Sequence, residues 1–391
     1  MKSCFLCFCF LLFTSLLFAQ RYKKIHYRAI VTDSHNDILS TCIEKNYRFD
    51  DNLKGKTHSD LARMKNNVDV QVFSIWCDGS YGKGAAYARA IREIDTLYAA
   101  AERNPRCMRI VKNANDLTEV LQHKQLAAMI GVEGGHMMED NLAYLDSFYK
   151  RGVCYMTLTW NNSTSWATSA KEESRDSLLH QPKGLNDFGR SVVKKMNELG
   201  MMIDVSHIGE QTFWDVIKTT TKPVLASHSD AYRLCSVPRN LKDSQIIAIA
   251  KNGGVIDVNF YPGFIDSSFE RKDSKFNARH KKERDSLLKI NPETYYASDY
   301  LANKYKDEMQ ALRPPLSMLI DHIDYLVKLA GIDHVGLGSD LDGISNTPQG
   351  IEDVTNYPLI TKELMKRGYS KKNIKKILGK NFLRVYQANQ M

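Results

Sequence analysis

The sequence predicts a (β/α)8 barrel of the TIM type with a helical insertion before the last strand. Three observations predict it. Eight short apolar runs rich in β-branched residues recur along the chain. Helix-like segments separate them. Most of the runs are continuous rather than alternating, as in strands buried on both faces of a parallel sheet. Strands alternating with helices build that kind of sheet. A doubly wound open sheet is the competing architecture. It would need a glycine-rich nucleotide loop after the first strand, and Ser34-His-Asn-Asp is not one.

The chain opens on a targeting segment over residues 1–19. Lys2 supplies a positive start, Cys4 to Phe18 is apolar, and polar Gln20 and basic Arg21 follow. So short a span reads as a cleaved signal peptide, with the protein exported to the periplasm or secreted. No cysteine follows the apolar core and no hydrophobic tail ends the chain, so no stable membrane anchor is expected. Residues 20–391 then form one barrel domain, since such barrels run from roughly 200 to over 400 residues.

The strands are read at Ile30–Asp37, Asp69–Trp76, Leu126–Glu133, Val153–Trp160, Met201–His207, Pro223–His228, Gly254–Phe260 and His334–Asp340. Helical spacing of apolar residues marks Ala85–Arg103, Leu185–Leu199, Gln211–Lys218 and Leu316–Leu329. Gly200, Gly253 and Gly331 stand where C-cap glycines belong. The charged segment 262–315 breaks the rhythm, with helix-like stretches around Ala278–Leu288 and Ser298–Ala311. It reads as a helical insertion that decorates the surface, covers the site, or makes the contact of a homodimer.

Composition is ordinary for a globular protein, with 43% hydrophobic and 25% charged residues. The formal net charge is +9, with denser basic runs at Arg271 to Lys289 and Lys371 to Lys376. No nucleic-acid motif accompanies them, so nucleic acid is not an expected partner. Beyond the leader, Cys42, Cys77, Cys107, Cys154 and Cys235 are widely spaced and odd in number. They read as small buried hydrophobes rather than a disulfide framework or zinc finger.

Six metal-type side chains stand at the downstream ends of these strands: His35, Asp37, Glu133, His207, His228 and Asp340. Parallel strands sharing a C-terminal edge bring distant residues together there. Imidazole and carboxylate suit zinc-type ions. His35-x-Asp37 puts two side chains on one side of a strand end. Glu133 ends an apolar run, where a carboxylate is costly unless paired or metal-bound, and its two oxygens can bridge two ions. His207 and His228 form a second pair. Two ions roughly 3.5–4 Å apart can hold a bridging hydroxide and polarise a carbonyl. Of Asp340 and Asp342, one is expected to act as acid or base and the other to organise the Gly343 turn. Asp340 is the candidate proton shuttle.

Taken together, these residues resemble the membrane dipeptidase (renal dipeptidase) family of zinc peptidases, which have amidohydrolase-like barrels. The matches are Asp33-Ser-His-Asn-Asp37, Gly131-Val-Glu-Gly-Gly-His136, Leu158-Thr with Ser165-Trp-Ala167, Asp204-Val-Ser-His207, Ala226-Ser-His-Ser229, Pro238-Arg-Asn240, Val258-Asn-Phe-Tyr261 and Val335-Gly-Leu-Gly-Ser-Asp-Leu-Asp-Gly343. The resemblance implies two zinc ions per chain. His35 and Asp37 would hold one, His207 and His228 the other, with Glu133 bridging. It makes Asp340 the proton shuttle. It makes Arg239, by itself readable as a solvent-facing arginine, the group that binds a dipeptide's C-terminal carboxylate. The implied reaction is hydrolysis of free dipeptides, often with a D-residue on the C-terminal side. One departure stands out. Trp160 occupies a substrate-binding position where the family commonly has histidine, and indole offers one donor and no titratable proton. Asn161 or Asn162 could supply a substitute donor. Two rival readings remain: another amidohydrolase-type enzyme (a deacylase or deaminase), and a non-catalytic binding barrel.

Overall fold

Nine parallel strands form the framework of the computed structural model, which describes residues 21–175, 183–291 and 294–390. The leader read over residues 1–19 lies outside the described residues. The strands are β1 (Thr32–Asn36), β2 (Val70–Ile75), β3 (Met108–Ile110), β4 (Leu126–Glu133), β5 (Val153–Thr157), β6 (Met202–Asp204), β7 (Leu225–Ala226), β8 (Val255–Val258) and β9 (Val335–Leu337). Eight of them run in the order β1-β2-β4-β5-β6-β7-β8-β9. The bridge between Asn36 and Leu341 brings the end after β9 back to β1. That circuit is the expected barrel. Every residue of those eight strands is buried, which is why their sequences are continuous apolar runs.

Two differences from the sequence reading have physical causes. The additional strand β3 pairs with the first residues of β4, beside the β4–β5 ladder. It has three residues, two of them half-exposed, so it gives no apolar run to read. The regular strands are also shorter than their runs, because the chain bends outward at the C-terminal edge. His207, Asp340 and Asp342 take left-handed backbone conformations with φ of 64°, 62° and 66°.

Helices pack around this sheet, including Ala85–Arg103, Asp187–Leu199, Glu210–Thr219 and Leu316–Ala330. Gly200 ends its helix at φ 77°, a conformation that glycine adopts without penalty. The segment after β8 is helical, with turns at Pro262–Ile265, Phe269–Arg279, Lys281–Ile290, Thr294–Lys304 and Lys306–Leu312. It has a small core of its own, from Phe276, Leu287, Ala297, Leu301 and Met309. The helices break at His280 and Tyr305, whose rings stack at 3.7 Å. The five cysteines are unbridged, and all but Cys107 are buried. Among the described residues no helix is long and apolar enough to cross a membrane.

His322 is buried beneath the loop after β7. Its Nδ1 accepts from the Ala231 N–H at 3.1 Å, so its Nε2–H donates to the Ile265 carbonyl, also at 3.1 Å. A second proton would set one donor against another. Burial accordingly lowers this histidine to about 4. The folded pKa lies below the unfolded one, so stability is present above pH 6.5 and is lost as pH falls from 6.5 towards 4. The unfolding free energy should drop by about 2 kcal/mol from this residue between pH 6.5 and 4.5. Urea titrations should show a shallower decline in His322→Gln, although that variant is less stable at pH 7. An unchanged slope would mean that His322 titrates normally.

Candidate metal centre

The parallel register carries the candidate residues to one level. Glu133 pairs with Thr157, Thr157 with Asp204, and Asp204 with Leu225, so β4 to β7 end together. Three residues beyond Asp204 stands His207, and three beyond Leu225 stands His228. Glu133 Oε1 lies 2.8 Å from His207 Nε2 and 3.4 Å from His228 Nε2. Its other oxygen lies 3.5 Å from His35 Nε2, which is also 3.5 Å from Asp37 Oδ2. One buried carboxylate thus touches three imidazoles, two on one side and one on the other.

The hydrogen bonds behind the rings decide which nitrogen faces Glu133. The Tyr155 hydroxyl donates to the Ser34 carbonyl at 3.0 Å, so it accepts from His35 Nδ1 at 2.9 Å. His35 Nε2 is left with a lone pair towards Glu133 and Asp37. The Ser227 hydroxyl donates to Asp204 at 2.6 Å and accepts from His228 Nδ1 at 2.7 Å. Such outer partners fix the tautomer of metal-binding histidines. His207 has no such partner, and its buried Nδ1 is unpaired.

The donor set fits a cation on two further observations. His35 Nε2 and Asp37 Oδ1 are buried with no hydrogen-bond partner. His207 Nε2 and His228 Nε2 stand 3.0 Å apart, both beside Glu133 Oε1, so the two ring nitrogens and the carboxylate oxygen converge on one point. Ligand atoms of His35, Glu133 and His228 lie within 4.8 Å of one another, as do those of His35, Asp37 and Asp340. Burial holds His207 at about 4 and His228 well below its usual value, with Arg239 and His35 adding to the effect. Burial opposes charge on His35 too, but Tyr155, Asp37 and Glu133 outweigh it and raise that ring. Burial would raise Glu133, yet the three imidazoles hold it well below the carboxylate range. The centre therefore calls for positive charge close to Glu133, which a cation supplies as well as a proton does.

The two acids after β9 are separated by their surroundings. Asp342 accepts from the His58 N–H at 2.7 Å and from the Ser59 hydroxyl. It clamps that loop, while the Gly343 turn is closed by the Asp340 carbonyl at 3.2 Å. Asp340 is left towards the centre, with one oxygen held by Asn259 Nδ2 at 2.9 Å. Burial raises its carboxyl to about 8, helped by the charges of Asp37 and Glu133.

Arg239 is buried, not solvent-facing. Its guanidinium donates to the His228 carbonyl at 3.2 Å and the Ser229 hydroxyl at 3.4 Å, and stands 5.3 Å from the Phe264 ring. Its Nε is unpaired. A cavity of about 300 Å³ opens beside His207 and Arg239, bounded further by Tyr232, Lys242 and Glu173. On the other flank Trp160 meets Trp76 edge-on at 5.1 Å and stands 6.5 Å from the His207 ring. Asn162 turns its amide to the Ser163 carbonyl at 3.3 Å. Sequence reasoning missed Tyr155, Ser227, Trp76 and the Asn259 contact. Only Asn259 carried a signal, as a polar residue closing an apolar strand.

A model of the membrane dipeptidase family, peptidase family M19, matches residues 19–391. An uncharacterised dipeptidase of Schizosaccharomyces pombe is 31% identical over 390 residues, covering 95% of this chain and 83% of the yeast protein. The probable dipeptidase PvdM of Pseudomonas aeruginosa has a similar structure, with a TM-score of 0.78 at 24% identity over 95% of this chain and 98% of that one. A Rhodobacter sphaeroides metallopeptidase, liganded with a phosphinate mimic of the dipeptide L-Ala-D-Ala, gives 0.73 at 21% identity over 92% and 99%. At those identities the two structures establish a common fold.

Tyr155→Phe keeps the ring's volume and removes the acceptor behind His35. Loss of such a partner typically lowers metal affinity about 10- to 100-fold. Zinc competition against a coloured chelator should show a fall of that size, with the far-ultraviolet dichroism of the barrel unchanged. Wild-type affinity in the variant would leave His35 without need of its phenol.

Proposed function

The chain belongs to the membrane dipeptidase family and is a metallodipeptidase, and from that premise we propose that it hydrolyses free dipeptides at a centre for two zinc ions. The observation that carries the two-ion reading is Glu133, with one oxygen against His207 and His228 and the other against His35, beside Asp37. His35 and Asp37 would hold one ion, His207 and His228 the other, and Glu133 would bridge. Bound there, such cations would supply an acidified water as nucleophile near neutral pH and would polarise the peptide carbonyl.

The chain's own residues do the rest. Arg239 binds the substrate's terminal carboxylate. Its planar fork suits two parallel hydrogen bonds, and burial strengthens them. The dipeptide named in the Rhodobacter complex, with its D-residue at the C-terminal side, supports the same class of substrate here. Asp340, with Asn259 fixing one oxygen, passes a proton to the departing amine. Trp160, edge-on to Trp76 and near the His207 ring, offers an apolar wall with one indole donor beside the centre. Residues 1–19 support export, with the enzyme acting in the periplasm or outside the cell.

Asp340→Asn keeps the shape and the Asn259 neighbour but cannot cycle a proton. It should fold, retain metal and lose about 10²- to 10⁴-fold in kcat. If Asp342→Asn lost more activity than Asp340→Asn at equal stability, the acid would be misassigned. Elemental analysis should find about two zinc ions per chain in the wild type. A single ion retained at full dipeptidase activity would overturn the two-ion reading.

Arg239→Ala should lower kcat/KM for a dipeptide about 10- to 150-fold, the size of a hydrogen bond to a charged group. The C-terminal amide of the same dipeptide, which lacks the negative charge, should suffer much less. Equal losses on both substrates would make Arg239 a structural residue. Lysine at the position should rescue only in part, because a point charge does not reproduce the fork.

A further inference from the structure

The end of the barrel opposite the metal centre carries a feature that dipeptide hydrolysis does not use. Backbone at Gly379 lies against the Ile30 carbonyl and the Thr32 amide, which places the segment 371–380 beneath the start of β1. Five lysines, Lys371, Lys372, Lys375, Lys376 and Lys380, are the whole lining of an open depression of about 460 Å³. Of these five, Lys376 alone has a carboxylate partner among the described residues, Asp333. Lys375 donates to the Arg28 carbonyl at 2.5 Å, so the basic cluster touches the segment by which the chain enters the barrel. That segment adds exposed Arg21, Lys23, Lys24 and Arg28. Burial, with Lys371, Lys380 and Arg28 close by, pulls the Lys375 ammonium below its usual value. These cations are close enough to repel one another, and among the described residues Asp333 beside Lys376 is the one acid paired with the five lysines.

Three features say what kind of anion such a face takes. The cations of the depression are all lysines, point charges on flexible stems, which suit diffuse negative charge better than one bidentate ligand. The depression is open rather than enclosed. Tyr27, at 57% exposure, stands next to Arg28, and an aromatic ring with a polar tip is the residue type found at membrane interfaces. We propose that this face docks reversibly on an anionic phospholipid surface. Clusters of four to eight basic residues bind such surfaces, and the attraction fades within a Debye length. Docking by this end leaves the metal centre facing away from the bilayer and open to small peptides.

The full chain should be mixed with vesicles of phosphatidylcholine alone and with vesicles containing about 30% phosphatidylglycerol, then sedimented. Expected is a clear preference for the anionic vesicles that weakens as salt rises from about 0.05 M to about 0.5 M. A preference for charge separates this face from the apolar leader, which partitions into both. The triple variant Lys371→Glu, Lys375→Glu, Lys380→Glu should lower the anionic partition roughly 100-fold, because each basic residue near a membrane contributes several-fold. Its dipeptide hydrolysis should match the wild type, which also shows that it folds. Equal sedimentation with both vesicles, or an anionic preference kept in the variant, overturns the proposal. So does loss of vesicle binding in millimolar inorganic phosphate at constant ionic strength, which would mark a site for a free anion. Tight binding to duplex DNA without vesicle preference overturns it as well.

Discussion

The carboxylate of Glu133, buried among three imidazoles, is the charge to which the upper end of the barrel answers. An unpaired carboxylate at that depth costs several kcal/mol. Its partners come from β1, β6 and β7, far apart in sequence, so they reach it only if those strands stop at one level. The ladder from Glu133 through Thr157 and Asp204 to Leu225 enforces that level. The apolar interior below makes the charge expensive, and the same interior holds the ligand strands in register. Removing one imidazole would leave part of that cost uncompensated, about 3–5 kcal/mol for a broken buried pair.

Two further carboxylates serve as clamps one layer below. Asp33 accepts from the His35 and Ser339 amides, the Ser339 hydroxyl and the Tyr357 hydroxyl, at 2.6–3.3 Å. It ties β1 to the end of β9, where the circuit closes. Asp204 accepts from Thr157, the Ser206 and Ser227 amides and the Ser227 hydroxyl, at 2.5–3.0 Å. It ties β5, β6 and β7. Each has four donors, which leave few of its lone pairs unsatisfied, although burial still raises the Asp33 carboxyl above its usual range. Asp257 is the contrast. Its oxygens have no partner in the hydrogen-bond network, and burial pushes its carboxyl well above the usual range. It belongs to the neutral interior, and Gly336 beside it leaves room for it, because a Cβ there would meet Asp257 Oδ1 at 2.1 Å.

The circuit of eight strands was legible because strands buried on both faces write themselves as unbroken apolar runs, and polar residues at their ends stand out. That pattern, with the family resemblance, singled out the residues now found around Glu133. The groups behind them were not legible. Tyr155 is an ordinary strand residue in an apolar stretch, and only the folded register puts its hydroxyl behind His35. Ser227 beside His228 looks like any small strand residue. The pairing of Trp76 with Trp160 depends on β2 and β5, which β4 separates in the sheet. β3 was missed because three half-exposed residues bury too little to leave a pattern. Arg239 by itself read as a surface residue, since a lone arginine after a proline carries no sign of burial. The insertion was legible as helical, but its breaks depend on the His280–Tyr305 stack, a contact between separate helices.

The two sides of Glu133 are unequally built, and the inequality matches their surroundings. On one side the His35 ring is fixed by Tyr155, and Asp37 and Asp340 stand close, so the donors are set before any cation arrives. On the other side His228 is fixed through Ser227 and Asp204, but His207 has an unpaired Nδ1 and a left-handed backbone. Ordering a loose side chain costs free energy, so of the two sides proposed to hold ions the His35 side is the better prepared. The looser ring lies next to the cavity and Arg239, the side on which a substrate carboxylate would be bound. Arg239 also opposes positive charge on His207, which keeps that ring a neutral donor. The ring fixed by fewer partners is therefore the one that borders the cavity, and the ring held by Tyr155 lies away from it.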